Sequence, residues 1–165
     1  MSLGQTTVVE SIASTLYTRL RTLINNTTYN TKVTEVIRPR RLEDRTVRDR
    51  QIIMCDGQHE RVPDLDHEGN PPAEAWRITF NLYCHVQNDE RKCEPIDKVV
   101  HNFAADVKKA VCAVDSRWHT FGEKAIDAVW QSLEPLSADG GFDGVNVPIS
   151  ITYRIDEGDP YTVRY

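Results

Sequence analysis

Between Trp76 and Gln87 the chain alternates without a break: Trp76, Ile78, Phe80, Leu82, Cys84 and Val86 are interleaved with Arg77, Thr79, Asn81, Tyr83, His85 and Gln87. A period of two is the signature of a strand with one buried and one polar face. Wound into a helix, the same residues would scatter their apolar side chains round the whole cylinder. The chain must therefore build a sheet and cover one face of it. The polar side is left for water or for another subunit, as antiparallel sheets commonly pack only one face on the core.

Two segments carry a helical period and supply the cover. Thr7, followed three residues later by Glu10, forms a capping-box pattern, and Val8, Val9, Ile12, Ala13, Leu16, Leu20, Leu23 and Ile24 recur at spacings of three and four. The spacing predicts a helix over Val8–Ile24, ended by the polar run Asn25-Asn26-Thr27-Thr28. Pro95 suits the first turn of a second helix reaching Ala113, with Asp97 near its positive end and Lys108 and Lys109 near its negative end.

Further strands are predicted at Lys32–Ile37 and at Gln51–Met54, the latter running at most to Cys55 before an Asp56-Gly57 turn. Others follow at about Ala125–Leu133 and through the alternation of Val145, Val147, Ile149, Ile151, Tyr153 and Ile155. Asp139-Gly140-Gly141 joins these last two as a hairpin. Asp64–Ala75, interrupted by Gly69, Pro71 and Pro72, reads as an acidic loop with no regular element. With 165 residues, 39% of them hydrophobic, there is material for one core. The order of elements predicts a single α+β domain over residues 1–165. It has a mostly antiparallel sheet of about four to five strands, two helices packed on one face, and a charged excursion at 38–75.

Formal charge is −5, which argues against a surface built as a whole to grip nucleic acid. The segment Arg38–Arg50 runs the other way. Arg38, Arg40, Arg41, Arg45, Arg48 and Arg50 outweigh Glu43, Asp44 and Asp49, for a local balance of +3. Three readings stand open: a solvated hairpin tip, a nucleic-acid contact, or an arm that meets acidic surface on a neighbouring subunit, since guanidinium forks suit carboxylates as well as phosphates.

Asp64, Asp66, Glu68 and Gly69 fall at the first, third, fifth and sixth positions of a calcium-loop pattern. The twelfth position is Ala75 where a bidentate carboxylate is needed, so a solvated acidic loop is the better account. Cys55, Cys84, Cys93 and Cys112 contain no CxxC pair and are read as reduced, small hydrophobic side chains. The five histidines are scattered, and no Walker loop, GxGxxG, GxSxG or HExxH occurs. No catalytic residue, metal ligand or cofactor is assigned. No run of about 18 apolar residues is available to cross a bilayer, and Met1–Thr7 lacks the pattern of a secretory leader. The expectation is a soluble protein that stays where it is made.

Taken together, the opening amphipathic helix, the Trp76–Val86 strand, the Pro95–Ala113 helix, the tryptophan-containing strand near Ala125–Leu133 and the closing Ile149–Ile155 strand before Asp159-Pro160-Tyr161 resemble the tail terminator proteins of tailed bacteriophages, also called tail completion or head-tail joining proteins. The resemblance is architectural and carries no catalytic signature. It implies a mixed subunit, not an enzyme, that forms a homohexameric ring on the finished tail tube, stops its polymerisation and offers a surface to the head connector. Genome DNA would pass through the lumen without specific binding, no membrane would be involved, and the protein would be assembled in the host cytoplasm into the neck of the virion. Within that reading the Arg38–Arg50 arm is expected to make subunit or tube contacts. Asp64, Asp66 and Glu68 are expected to meet a neighbour's basic surface. The alternatives are another neck component, such as a head-closure or adaptor protein, and a small metal-dependent enzyme.

Overall fold

A fifteen-residue strand forms the spine of the fold in the computed structural model of the chain. The structure describes residues 6–39, 46–87, 94–113, 116–137 and 142–164. In chain order the elements are α1 (Val8–Arg21), β1 (Glu35–Ile37), β2 (Gln51–Arg61), a 3₁₀ turn (Pro63–Leu65), β3 (Ala73–Gln87), α2 (Ile96–Cys112), a 3₁₀ turn (Trp118–Thr120), β4 (Asp127–Trp130), β5 (Glu134–Ser137), β6 (Phe142–Asn146), β7 (Ile149–Asp156) and β8 (Asp159–Val163). The strands form one sheet in the order β1-β2-β3-β6-β5; β7 also pairs with β3, and β4 and β8 pair with β7.

The α+β class and the pair of helices agree with the sequence. The strand count does not, since eight strands replace the expected four to five. Two physical causes account for the excess. Pro148 has no N–H to give to a ladder, so the apolar run 145–155 splits into β6 and β7. These lie end to end along β3, with Tyr83–Gln87 paired to β6 and Ala73–Phe80 to β7. Outside them the same break divides β4 from β5. A tight turn at Gly158, whose φ is 76°, then folds β8 back on the end of β7. The sheet is also mixed, because β1 runs parallel to β2. The segment 38–50 is thus a crossover between parallel strands, of which 40–45 lie outside the described residues.

The expected turn at Asp56-Gly57 is instead a bulge inside an eleven-residue strand. Register against β3 shifts between Asp56 and His59, and the backbone of Gly57 passes so close to β3 that a Cβ would stand 2.9 Å from the Thr79 carbonyl. Glycine at a close backbone approach marks a bulge as readily as a turn. The loop at 64–75 is likewise more ordered than expected, with a 3₁₀ turn at its start and β3 beginning at Ala73.

α1 begins where predicted, the Thr7 hydroxyl accepting from Glu10 N at 3.2 Å. It stops at Arg21, short of Ile24, because the Thr22 hydroxyl donates to Arg19 O and Asn26 Nδ2 donates to Thr22 O, taking the last carbonyls out of the helix. Ile12, Leu16 and Leu20 of α1 and Phe103, Val107 and Val111 of α2 pack with Ile78, Phe80, Leu82 and Cys84 of β3 in one buried cluster. That cluster covers one face of the sheet; on the other, β3 presents Arg77, Thr79 and Asn81, while Ile53 and Cys55 of β2 are buried there as well. No helix among the described residues is long and apolar enough to cross a membrane.

Candidate functional site

The face of β3 turned away from the helices presents Arg77, Thr79 and Asn81, and the register fixes what lies beside each. Arg77 is opposite Glu60 on β2 and donates to its Oε1 at 3.3 Å. Thr79 and Ser150 of β7 share a hydroxyl bond of 2.7 Å. Asn146 of β6, only 3% exposed, donates through Nδ2 to Asn81 Oδ1 and to Glu134 Oε2, each at 3.0 Å. These cross-strand rows line a groove of about 450 Å³, closed at one side by Gln131 and Ser132. Glu60 with Arg77, Thr79 with Ser150, and Asn81 with Asn146 are bonded across the strands, and the Asn146 Oδ1 is buried with no hydrogen-bond partner among the described residues.

On the helix side, at the β8 end of the sheet, a smaller pocket of about 360 Å³ is lined by Val9, Trp76, Ile155 and Pro160 around His59 and Tyr153. His59 Nε2 and the Tyr153 hydroxyl are 2.6 Å apart, and the His59 ring lies 5.2 Å from that of Trp76. Burial lowers the His59 pKa against the pull of the Asp56 carboxylate, and burial raises that of Tyr153. The histidine is thereby biased to the neutral form and the phenol kept protonated. Sequence reasoning passed over this pair. Its one signal is that Trp76 and Tyr153 sit on buried-face positions of their strands, and only the β2-β3-β7 register brings His59 to them.

The arginines expected in an arm are partly committed within the subunit. Arg38 donates to both oxygens of Glu10, at 2.7 and 2.9 Å, and stands 3.7 Å from Asp56. That contact, the larger influence, holds the Glu10 carboxyl below its ordinary range. Arg48 lies 3.6 Å from Glu35 and Arg50 3.9 Å from Asp49. Arg40, Arg41 and Arg45 lie outside the described residues. In the acidic loop, Asp66 accepts from Ala75 N at 2.8 Å and from Arg61 at 2.8 Å, and the Ala75 amide is the main cause of its lowered pKa. Asp64 and Glu68 are not drawn with it into a cage. Among the described residues no group of three His, Cys, Asp or Glu side chains is placed to hold a metal ion.

The outer margin of the sheet is the remaining feature. β4 pairs only with β7 and β5 only with β6 among the described residues, so both leave one side of the backbone open. Val129 on β4 is 52% exposed, and Leu133 beside β5 is exposed as well. The inner side of β4 is fixed by Trp130, stacked on Trp118 at 6.1 Å and covered by the Lys108 ammonium at 5.7 Å. Compared with known proteins, the chain matches no family model and no curated protein.

Proposed function

We propose that this chain is a structural virion subunit that assembles into a ring at the head-proximal end of a phage tail, ends polymerisation of the tail tube and joins the tail to the head connector. The observation that carries the proposal is a sheet covered by helices on one face, with a row of polar side chains bonded across strands on the other and, among the described residues, an open margin at β4 and β5. An exposed strand edge is a template for pairing with another chain. The architectural resemblance to tail terminators supports the choice among assembling proteins, and a ring of subunits each carrying −5 suits a lumen through which DNA slides without being gripped.

The test is native mass across a concentration series, with and without purified tail-tube protein. A species of six subunits is expected, at least when the tube is present. A monomer under both conditions would sink the proposal.

A further inference from the structure

The pocket between α1 and the β8 end of the sheet owes its polar group to the bulge in β2. Before the bulge the even-numbered residues of β2 face the helices, Ile52 opposite Cys84 and Met54 opposite Leu82. Beyond it His59 stands opposite Ile78, so an odd-numbered residue is turned onto the helix face. Bulges re-aim side chains in this way beside functional sites. His59 Nε2 thereby meets the Tyr153 hydroxyl at 2.6 Å, and Trp76, the ladder partner of Tyr153, lies 5.2 Å from the imidazole between ring centres. His59 is exposed at the mouth, whereas Tyr153 is only 2% exposed. The other polar groups of the lining are already committed, the Thr7 hydroxyl to Glu10 N and the Trp76 indole N–H to Glu74 Oε2. One polar pair is thus set among the apolar walls of Val9, Ile155 and Pro160.

From this geometry we infer that the pocket is a binding site for a small, uncharged aromatic molecule bearing one hydroxyl group. Size sets the upper limit. A volume of about 360 Å³ lies near the lower end of ligand pockets, and an apolar cavity of about 150 Å³ already takes benzene, so one ring with short substituents fits. The walls set the body of the ligand, since the Trp76 indole offers a flat face to an offset-stacked ring. The polar pair sets the substituent. When the Tyr153 O–H donates to His59, the phenol oxygen is left as an acceptor; when His59 donates, the Tyr153 O–H is left as a donor. A hydroxyl both donates and accepts, so it answers either arrangement. An ionised ligand is disfavoured by the same surroundings. Desolvation lowers the pKa of His59 and raises that of Tyr153, which keeps both neutral, and none of the lining residues carries a charge. All the walls come from one subunit, so the site stands whether or not the chain forms a ring.

The test titrates the full chain with 4-methylphenol and with its methyl ether, 4-methylanisole, and follows the indole N–H resonance of Trp76. A ligand of so few atoms is expected to bind with a dissociation constant of about 1 mM, so titration to about 5 mM reaches most of the shift. Trp118 and Trp130 line no part of the pocket and serve as internal controls. The expected result is a saturating shift at Trp76, with the ether bound about fivefold more weakly than the phenol, as for one lost hydrogen bond. Tyr153→Phe should weaken the phenol and bind the two probes alike, a pattern that lost packing alone would not give. Val9→Phe, filling the pocket from the first turn of α1, should abolish the shift with both probes while the variant melts as wild type does. Should that variant fail to fold, the comparison of the two probes on wild type and on Tyr153→Phe decides alone. The absence of a Trp76 shift with either probe overturns the inference, and so does a shift that survives in folded Val9→Phe. Equal binding of phenol and ether to wild type, or an undiminished preference for the phenol in Tyr153→Phe, overturns the role of the pair and with it the hydroxyl.

Discussion

Arg19 is a cation inside the core, and its replacement by methionine is the sharpest check on how the helices are held. The residue is 8% exposed and projects from α1. Its Nη1 donates to Trp118 O at 2.7 Å and to Val111 O at 3.3 Å, and the guanidinium carbon stands 4.5 Å from the centre of the Phe121 ring. Val111 lies in the last turn of α2, whose carbonyls have no partners in the helix and whose dipole favours a cation. Phe121 is fully buried with a φ of 48°, a conformation that a bulky side chain adopts only when its surroundings hold it there. Losing the short bond costs about 1.5 kcal/mol, the longer one about 1 kcal/mol, and the contact with the ring about 1 kcal/mol. Relief of guanidinium desolvation returns part of this, so Arg19→Met is expected to destabilise by about 2 kcal/mol. With a urea slope of about 2 kcal/mol/M, the unfolding midpoint falls by about 1 M at constant slope. The melting temperature drops by roughly 4 to 8 °C. Arg19→Lys keeps the charge without the fork and should lose about 1 kcal/mol. A methionine variant as stable as wild type would refute the reasoning, because desolvation would then cancel every contact the guanidinium makes.

Two further perturbations test the register and the charge pattern. Glu10 has a folded-state pKa below its unfolded value of about 4.3, so its contact with Arg38 stabilises the fold above that value and ceases to do so as pH falls through the folded pKa. Arg38→Gln should therefore lower the urea midpoint slightly at pH 7, by the equivalent of less than about 1 kcal/mol for a partly exposed pair, and the gap should narrow as pH falls below about 4.3; a gap independent of pH would contradict the assignment. Gly144→Ala should cost about 2 kcal/mol in thermal unfolding, since its Cβ would collide with the Cys84 carbonyl and force β6 away from β3. Unchanged stability would mean that Gly144 does not sit opposite His85.

What could be read from the sequence was what one face of one element decides. The β3 alternation and the α1 and α2 stripes are each written within a single segment, so the class of fold and the side of the sheet that is covered followed from them. Features set by two segments together did not. Gly57 looks the same in a turn and in a bulge until Thr79 and Asn81 are placed beside it. The run from Val145 to Ile155 alternates correctly across Pro148, yet the lost N–H at that residue divides it into β6 and β7. His59, Trp76 and Tyr153 come from three strands, and no spacing along the chain relates them. Asp66 looked free because its partners, the Ala75 amide and Arg61, become neighbours only when β2 and β3 pair.

The acidic loop is bound up with the strands it joins. The 3₁₀ turn at Pro63–Leu65 and the residues Asp64 to Glu68 join β2 to β3 and so lie at a strand end. Asp66 and Arg61 fix the shape of that loop through each other, and Arg38 ties the start of the crossover to α1 through Glu10. The charges that stood out in the sequence are thus in part structural: each of these pairs holds a connection against the element beside it, and Asp64 and Glu68 are left exposed at the strand end.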